Sequence, residues 1–154
     1  MAEAARIEQI EAVINTLISR SEGEPLPGAT DPVVYRDVLD VEVEPQQYPA
    51  STLLFSYPSQ SDLATGGITQ NTWRWIQRSY FDFTDPATAQ QEMKRLIPAL
   101  LSALRHASPD DLLLADGTQI ELVVEDAGAP DRAEVGESSV LVKSLYITAQ
   151  TEEE

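Results

Sequence analysis

There is no cysteine in these 154 residues and a single histidine. The first absence excludes a disulfide framework and a thiolate metal site, and it suits a reducing compartment. The second leaves His106 as the sole imidazole for a nucleophilic relay, and no Ser stands in a G-x-S-x-G elbow to use it. HExxH and EF-hand spacings are missing, and no Lys or helix start follows Gly66-Gly67 as a phosphate loop requires. Cations are scarce: 10 Lys and Arg stand against 26 Asp and Glu, a net charge of −16, which works against phosphate-directed binding of nucleic acid. Also missing is any apolar run near the roughly 20 residues that cross a bilayer. The opening MAEAARIEQIEAV is acidic where a signal peptide is basic, so the expectation is a soluble chain with no membrane contact. Carboxylates this abundant make any one pair of them uninformative about acid–base chemistry. The expectation is a protein that is not an enzyme and takes no cofactor or metal.

What is present centres on residues 71–106. NTWRWIQRSYFDF alternates strictly, with Trp73, Trp75, Gln77, Ser79, Phe81 and Phe83 on one side and Thr72, Arg74, Ile76, Arg78, Tyr80 and Asp82 on the other. β-Branched and aromatic residues make this a strand, long enough to carry a bulge or to project past its sheet. Two readings of its tryptophans follow: they form the sheet's core face, or Trp73 and Trp75 join a subunit contact, where aromatics are enriched. Asp85 then fits an N-cap and Pro86 a first helical turn. Ala89, Met93, Leu96, Ile97, Leu100, Leu101 and Leu104 recur at helical spacing, with Pro98 expected to kink the helix. These 36 residues balance at +2, which leaves −18 on the rest of the chain.

Around this unit the pattern predicts a helix over 2–20, a loop over 21–32, a strand over 33–36 and an extended piece over 41–44. TLLFSY (52–57) reads as a short central strand, and 58–71 as a long polar hairpin loop. A hairpin over 112–125 turns at Asp116-Gly117 with positive φ at both residues. A polar loop is expected over 126–137, a closing strand over 138–150, and a disordered acidic tail over 150–154. The whole is one α+β domain: a single, mostly antiparallel or mixed sheet with two helices packed on one face and a long hairpin loop.

That order of elements, with W-x-W-x-x-x-x-Y-F-x-F, the following Asp-Pro and the helix spaced like Met93, Leu96, Leu100 and Leu104, resembles the tail terminator (tail completion) proteins of long-tailed phages and related gene-transfer particles. The similarity runs from about 7 to 148 and is densest in RWIQRSYFDFTDPATAQQEMKRLIPALLSALR. Head-closure and other neck proteins share much of the plan. The resemblance implies a structural virion protein, assembled in the host cytoplasm and found at the head-proximal end of the tail. It would form a homohexameric ring that caps the tail tube, stops its elongation and meets the head–tail connector. Its subunit interface is expected at Trp73, Arg74, Trp75 and Arg78 and at the Gly66 and Gly67 loop. An acidic, non-catalytic protein-binding module and an enzyme using scattered carboxylates are the other classes the composition admits.

Overall fold

In the computed structural model of the chain, residues 3–41, 43–63 and 68–153 are described, 57–63 by their backbone alone. The described elements run α1 (Glu3–Ser19), β1 (Glu22–Gly23), β2 (Val33–Val34), β3 (Asp37–Val38), β4 (Ala50–Leu63), β5 (Thr69–Asp82), α2 (Pro86–Arg105), β6 (Ile120–Asp126), β7 (Asp131–Val135) and β8 (Ser138–Glu153). Two helices and a mixed sheet make this an α+β fold. Across the large sheet the order is β3-β4-β5-β8-β6, with β7 following β6 along the same side of β8. β3 joins β4 in parallel and every other pairing in that sheet is antiparallel. β1 and β2 form a separate two-stranded piece.

The alternation of β5 decides which face is covered. Trp73, Trp75 and Phe81 turn inward to meet Leu53, Leu141, Leu145, Ile147 and Ala149 of the neighbouring strands, and both helices lay their apolar stripes on that layer. Ile10, Ile14, Leu17 and Ile18 come from α1, and Ala89, Leu96, Ile97, Leu100 and Leu104 from α2. A core of this kind is stabilised by roughly 25 cal/mol for each Å² of apolar surface withdrawn from water. Asp85 caps α2 by accepting from the N–H groups of Ala87 and Thr88 at 3.2 and 3.4 Å. Thr88 Oγ1 also donates to it at 2.8 Å, and these bonds hold the Asp85 carboxyl below its ordinary range. Pro98 sits inside the helix on its exposed side. At Gly23 the backbone of β1 presses on α2: a Cβ there would stand 2.7 Å from the carbonyl of Arg95, so this close approach admits only glycine.

Polar side chains interrupt the core face around Gln77. Gln77 Nε2 donates to Ser51 Oγ and to Ser79 Oγ, each at 2.9 Å, and Tyr35 Oη lies 2.7 Å from Ser79 Oγ. All four residues are buried, and burial pushes the Tyr35 hydroxyl well above its usual pKa. Arg6, buried at the start of α1, donates to both carboxylate oxygens of Asp116 at 3.2 and 2.9 Å and also to Glu153. This clasp ties the first helix to the 112–118 turn and to the end of the sheet. Its hydrogen bonds from Arg6 hold the Asp116 carboxyl far below the carboxylate range.

The structure corrects several expectations. β5 does not project: β8 pairs with it along its whole length, from Thr69 with Glu153 to Asp82 with Val140, and the irregularity sits in β4, between Ser56 and Gln60. The 58–71 stretch is mostly strand rather than loop, because β4 continues to Leu63 and β5 begins at Thr69. The 126–137 loop contains β7, whose Ala133 and Val135 alternate onto Tyr80 and Val140. Thr151 and Glu153 belong to β8, where the end expected to be disordered is held by Arg6 and by Asn71 Nδ2, 2.9 Å from Glu153. At the 116–117 turn only Gly117 has positive φ, +88°. Asp116 instead turns its carboxylate onto the Thr118 N–H at 3.1 Å. The extended piece expected over 41–44 forms no strand among its described residues.

Candidate functional site: the helix-free sheet face and its edges

Because the strands alternate, the residues opposite the tryptophans make a second face that no helix among the described residues covers. Across it, in register, run Leu54, Ile76, Tyr146 and Glu125, and one row further along, Ser56, Arg74, Thr148 and Val123. Leu54, Val123 and Tyr146 are 38, 40 and 36 % exposed, high for large apolar side chains. Arg74 is exposed too, its guanidinium carbon 5.8 Å from the centre of the Tyr146 ring, a cation–π geometry that orients the arginine along the face. Arg78 is half-buried and engaged within its own chain.

Towards the 136–138 end the same face acquires a wall. Tyr48, Ala133, Val135 and Val142 pack with Ala50, Tyr80 and Val140. Between this wall and the arginines lies an open concavity of about 360 Å³ with Arg78, Tyr80 and Asp131 among its lining residues. Behind it Lys143 is buried and gives its ammonium to Asp126 and to the Gly128 carbonyl, fixing the chain where β6 breaks off and β7 begins. That contact lowers the Asp126 pKa.

The sheet's two borders are the other part of the site. On the β4 side, β3 covers Ala50 and Ser51, and the Leu39 N–H takes the Ser51 carbonyl at 2.8 Å. Beyond that point, among the described residues, no strand lies outside β4. On the β6 side, Ile120 N–H goes outward to the Leu112 carbonyl at 2.9 Å, and beyond it β6 has no outer strand among the described residues. Arg105 reaches the carbonyl of Val124 at 3.2 Å. Exposed strand borders of this kind are templates for another chain.

Of the residues expected at a subunit contact, Trp73 and Trp75 are 4 % and 0 % exposed and belong to the core face, the first of the two readings of this strand. Phe55 packs against Trp75 with ring centres 5.6 Å apart and planes tilted by 55°, and Trp75 Nε1 donates to Glu11 at 3.2 Å. Arg74 and Arg78 lie together on the opposite face. Gly66 and Gly67 lie outside the described residues. Leu54, Val123 and Tyr146 carried no sequence signal of exposure, since apolar alternation looks the same whichever face a helix covers. His106 ends α2, exposed, its N–H on the Ser102 carbonyl at 2.9 Å. Asp110 and Asp111 form a turn in which Asp111 meets Ser108 and Arg20. Among the described residues no three His, Cys, Asp or Glu side chains gather as a metal site, and no helix is long and apolar enough to cross a membrane. No protein-family model matches the chain and no curated protein matches its sequence.

Proposed function

We propose that this chain is a structural subunit that works by self-association into a closed ring, in the manner of the phage tail terminators its element order resembles. The ring, six-membered by that resemblance, caps a tail tube, ends its elongation and offers a surface to a head connector. The observation that carries the reading is the one-sided sheet: helices cover one face, while the other presents Leu54, Val123 and Tyr146 to solvent beside Arg74. A face that sets Arg74 and Arg78 among apolar side chains and the carboxylates of Glu121 and Glu125 suits contact with a protein surface bearing both signs of charge, other copies of this chain included.

The test is native mass spectrometry of the purified protein, alone and with purified tail tubes. A closed oligomer, or a single ring of subunits at one tube end, is the expected result. A chain that stays single in both conditions ends this reading and favours an acidic binding module.

A further inference from the structure

The two free borders of the sheet match each other residue by residue, and we propose that they are the two halves of one contact: β6 of one copy adds, antiparallel, to β4 of the next. This rests on the ring reading and names how the ring is joined.

Backbone direction is the first match. In a strand, the N–H and C=O of a residue point to the same border and alternate along the chain. Ser51 points its carbonyl outward to Leu39, so Leu53 and Phe55 also point outward. Ile120 points its N–H outward to Leu112, so Leu122 and Val124 do so on the other border. An antiparallel union therefore sets Leu53 opposite the next copy's Val124 and Phe55 opposite its Leu122 as hydrogen-bonded pairs, with Leu54 facing Val123 between them. Arg105 uses one lone pair of the Val124 carbonyl, and the second remains for the Leu53 N–H.

Side-chain character is the second match. Leu53 and Val124 are buried on the helix side, Phe55 and Leu122 half-buried there, and Leu54 and Val123 exposed on the helix-free side. Each apolar residue meets one of equal depth. The remaining pair puts the next copy's exposed Glu121 opposite Ser56, whose other neighbour is Arg74. Two strand spacings of about 4.8 Å separate that carboxylate's strand from the arginine's, a gap the two long side chains close over the small serine once Arg74 swings from Tyr146.

Length is the third. The β4 window ends where its register with β5 shifts, just past Ser56, and the β6 window ends where Leu112 takes Ile120, just before Glu121. Four residues on each border, 53–56 and 121–124, fit in one register. Past Val124, β6 continues to Asp126, so Glu125 and Asp126 come beside Thr52 and Ser51 and the two-residue β3 pairing there opens to admit them. Strand directions agree as well: along β4-β5-β8-β6 they alternate, so a copy in the same orientation brings β6 antiparallel to β4 with both helix layers on the same side. Within one chain Leu54 shares its row with Glu125, two residues from Val123. Each union therefore advances the register by two residues, the stagger through which a sheet tilts and closes on itself.

The chain has no cysteine, which gives a clean experiment. Facing residues of a pair without mutual hydrogen bonds have Cα atoms about 4.5 Å apart, within disulfide range. Within one chain the two positions are separated by β5 and β8 and cannot bond. Leu54→Cys with Val123→Cys is expected to give, on mild oxidation, covalent multimers up to the closed ring. Leu54→Cys with Glu125→Cys, one row off, is expected to give at least tenfold less. Rings seen by native mass spectrometry without cross-links from the first pair, or with equal cross-links from both, overturn the strand union and leave the ring reading standing. Absence of any association in the wild-type protein overturns both.

Discussion

At the scale of single residues, the tightest compromise is Glu11. Its carboxylate accepts from Trp75 Nε1, but partial burial and the nearby charges of Asp40 and Glu8 raise its pKa above the ordinary 4.5. A raised carboxyl pKa means that the folded state holds the proton more tightly than the unfolded chain, so ionised Glu11 opposes folding at neutral pH. Glu11→Gln keeps an acceptor for the indole and removes the charge. The variant is expected to melt higher than wild type at pH 7. Its advantage should vanish as pH falls through the folded-state pKa of Glu11, where the wild type takes up its proton. Paired melting curves from pH 4 to 8 measure this, and an advantage independent of pH would contradict it. Asp116 behaves oppositely: its lowered pKa stabilises the fold above the unfolded carboxyl range, and that stability is lost as pH falls below about 4. Of these residue roles, the sequence shows little. Arg6 and Asp116 are 110 positions apart, and nothing local marks them as partners.

At the scale of elements, the helices were legible because their signals are local: Asp85 and Pro86 at the start of α2, and an apolar spacing of three and four behind them. The strand pattern of β5 was equally plain, and so was its division into two faces. What the sequence hid is whatever pairing decides. Polar 58–63 became strand because β5 holds it, and the 131–135 segment because β8 does, although the alternation of Ala133 and Val135 with Arg132 and Glu134 was there to read. Two of the six expected contact residues, Arg74 and Arg78, lie on the open face. The tryptophans went inward, since alternation fixes which residues share a side but not which side the helices take. Pro98 offers a test at this scale. Exposed and within α2, it denies the Lys94 carbonyl its helical N–H while contributing nothing to the core. Pro98→Ala is therefore expected to stabilise the fold by about 1–3 kcal/mol, raising the melting midpoint by several degrees. Denaturant titration measures the gain, and an unchanged midpoint would show that the helix loses nothing by carrying the proline.

At the scale of the whole molecule, the uneven charge and the one-sided sheet express the same division of labour. Helices, core face and the Arg6 clasp build one packed body, and the face opposite carries no helix among the described residues. The α+β plan could be read from the order of elements, whereas the borders could not, because a strand's outer neighbour is a property of the sheet. In the proposed union the open window on β4 is short, and its shortness sets how copies would gather. Two facing pairs exchange about four backbone hydrogen bonds, each contributing about 1 kcal/mol net. That is too little to hold a pair of subunits against dilution, since association alone costs at least about 4 kcal/mol. Closing the circle changes the arithmetic, because the final union forms within an object already assembled and every subunit is then gripped twice. Assembly is accordingly expected to be all-or-none. Dilution series in native mass spectrometry should show lone chains and complete circles, with dimers and trimers scarce at every concentration.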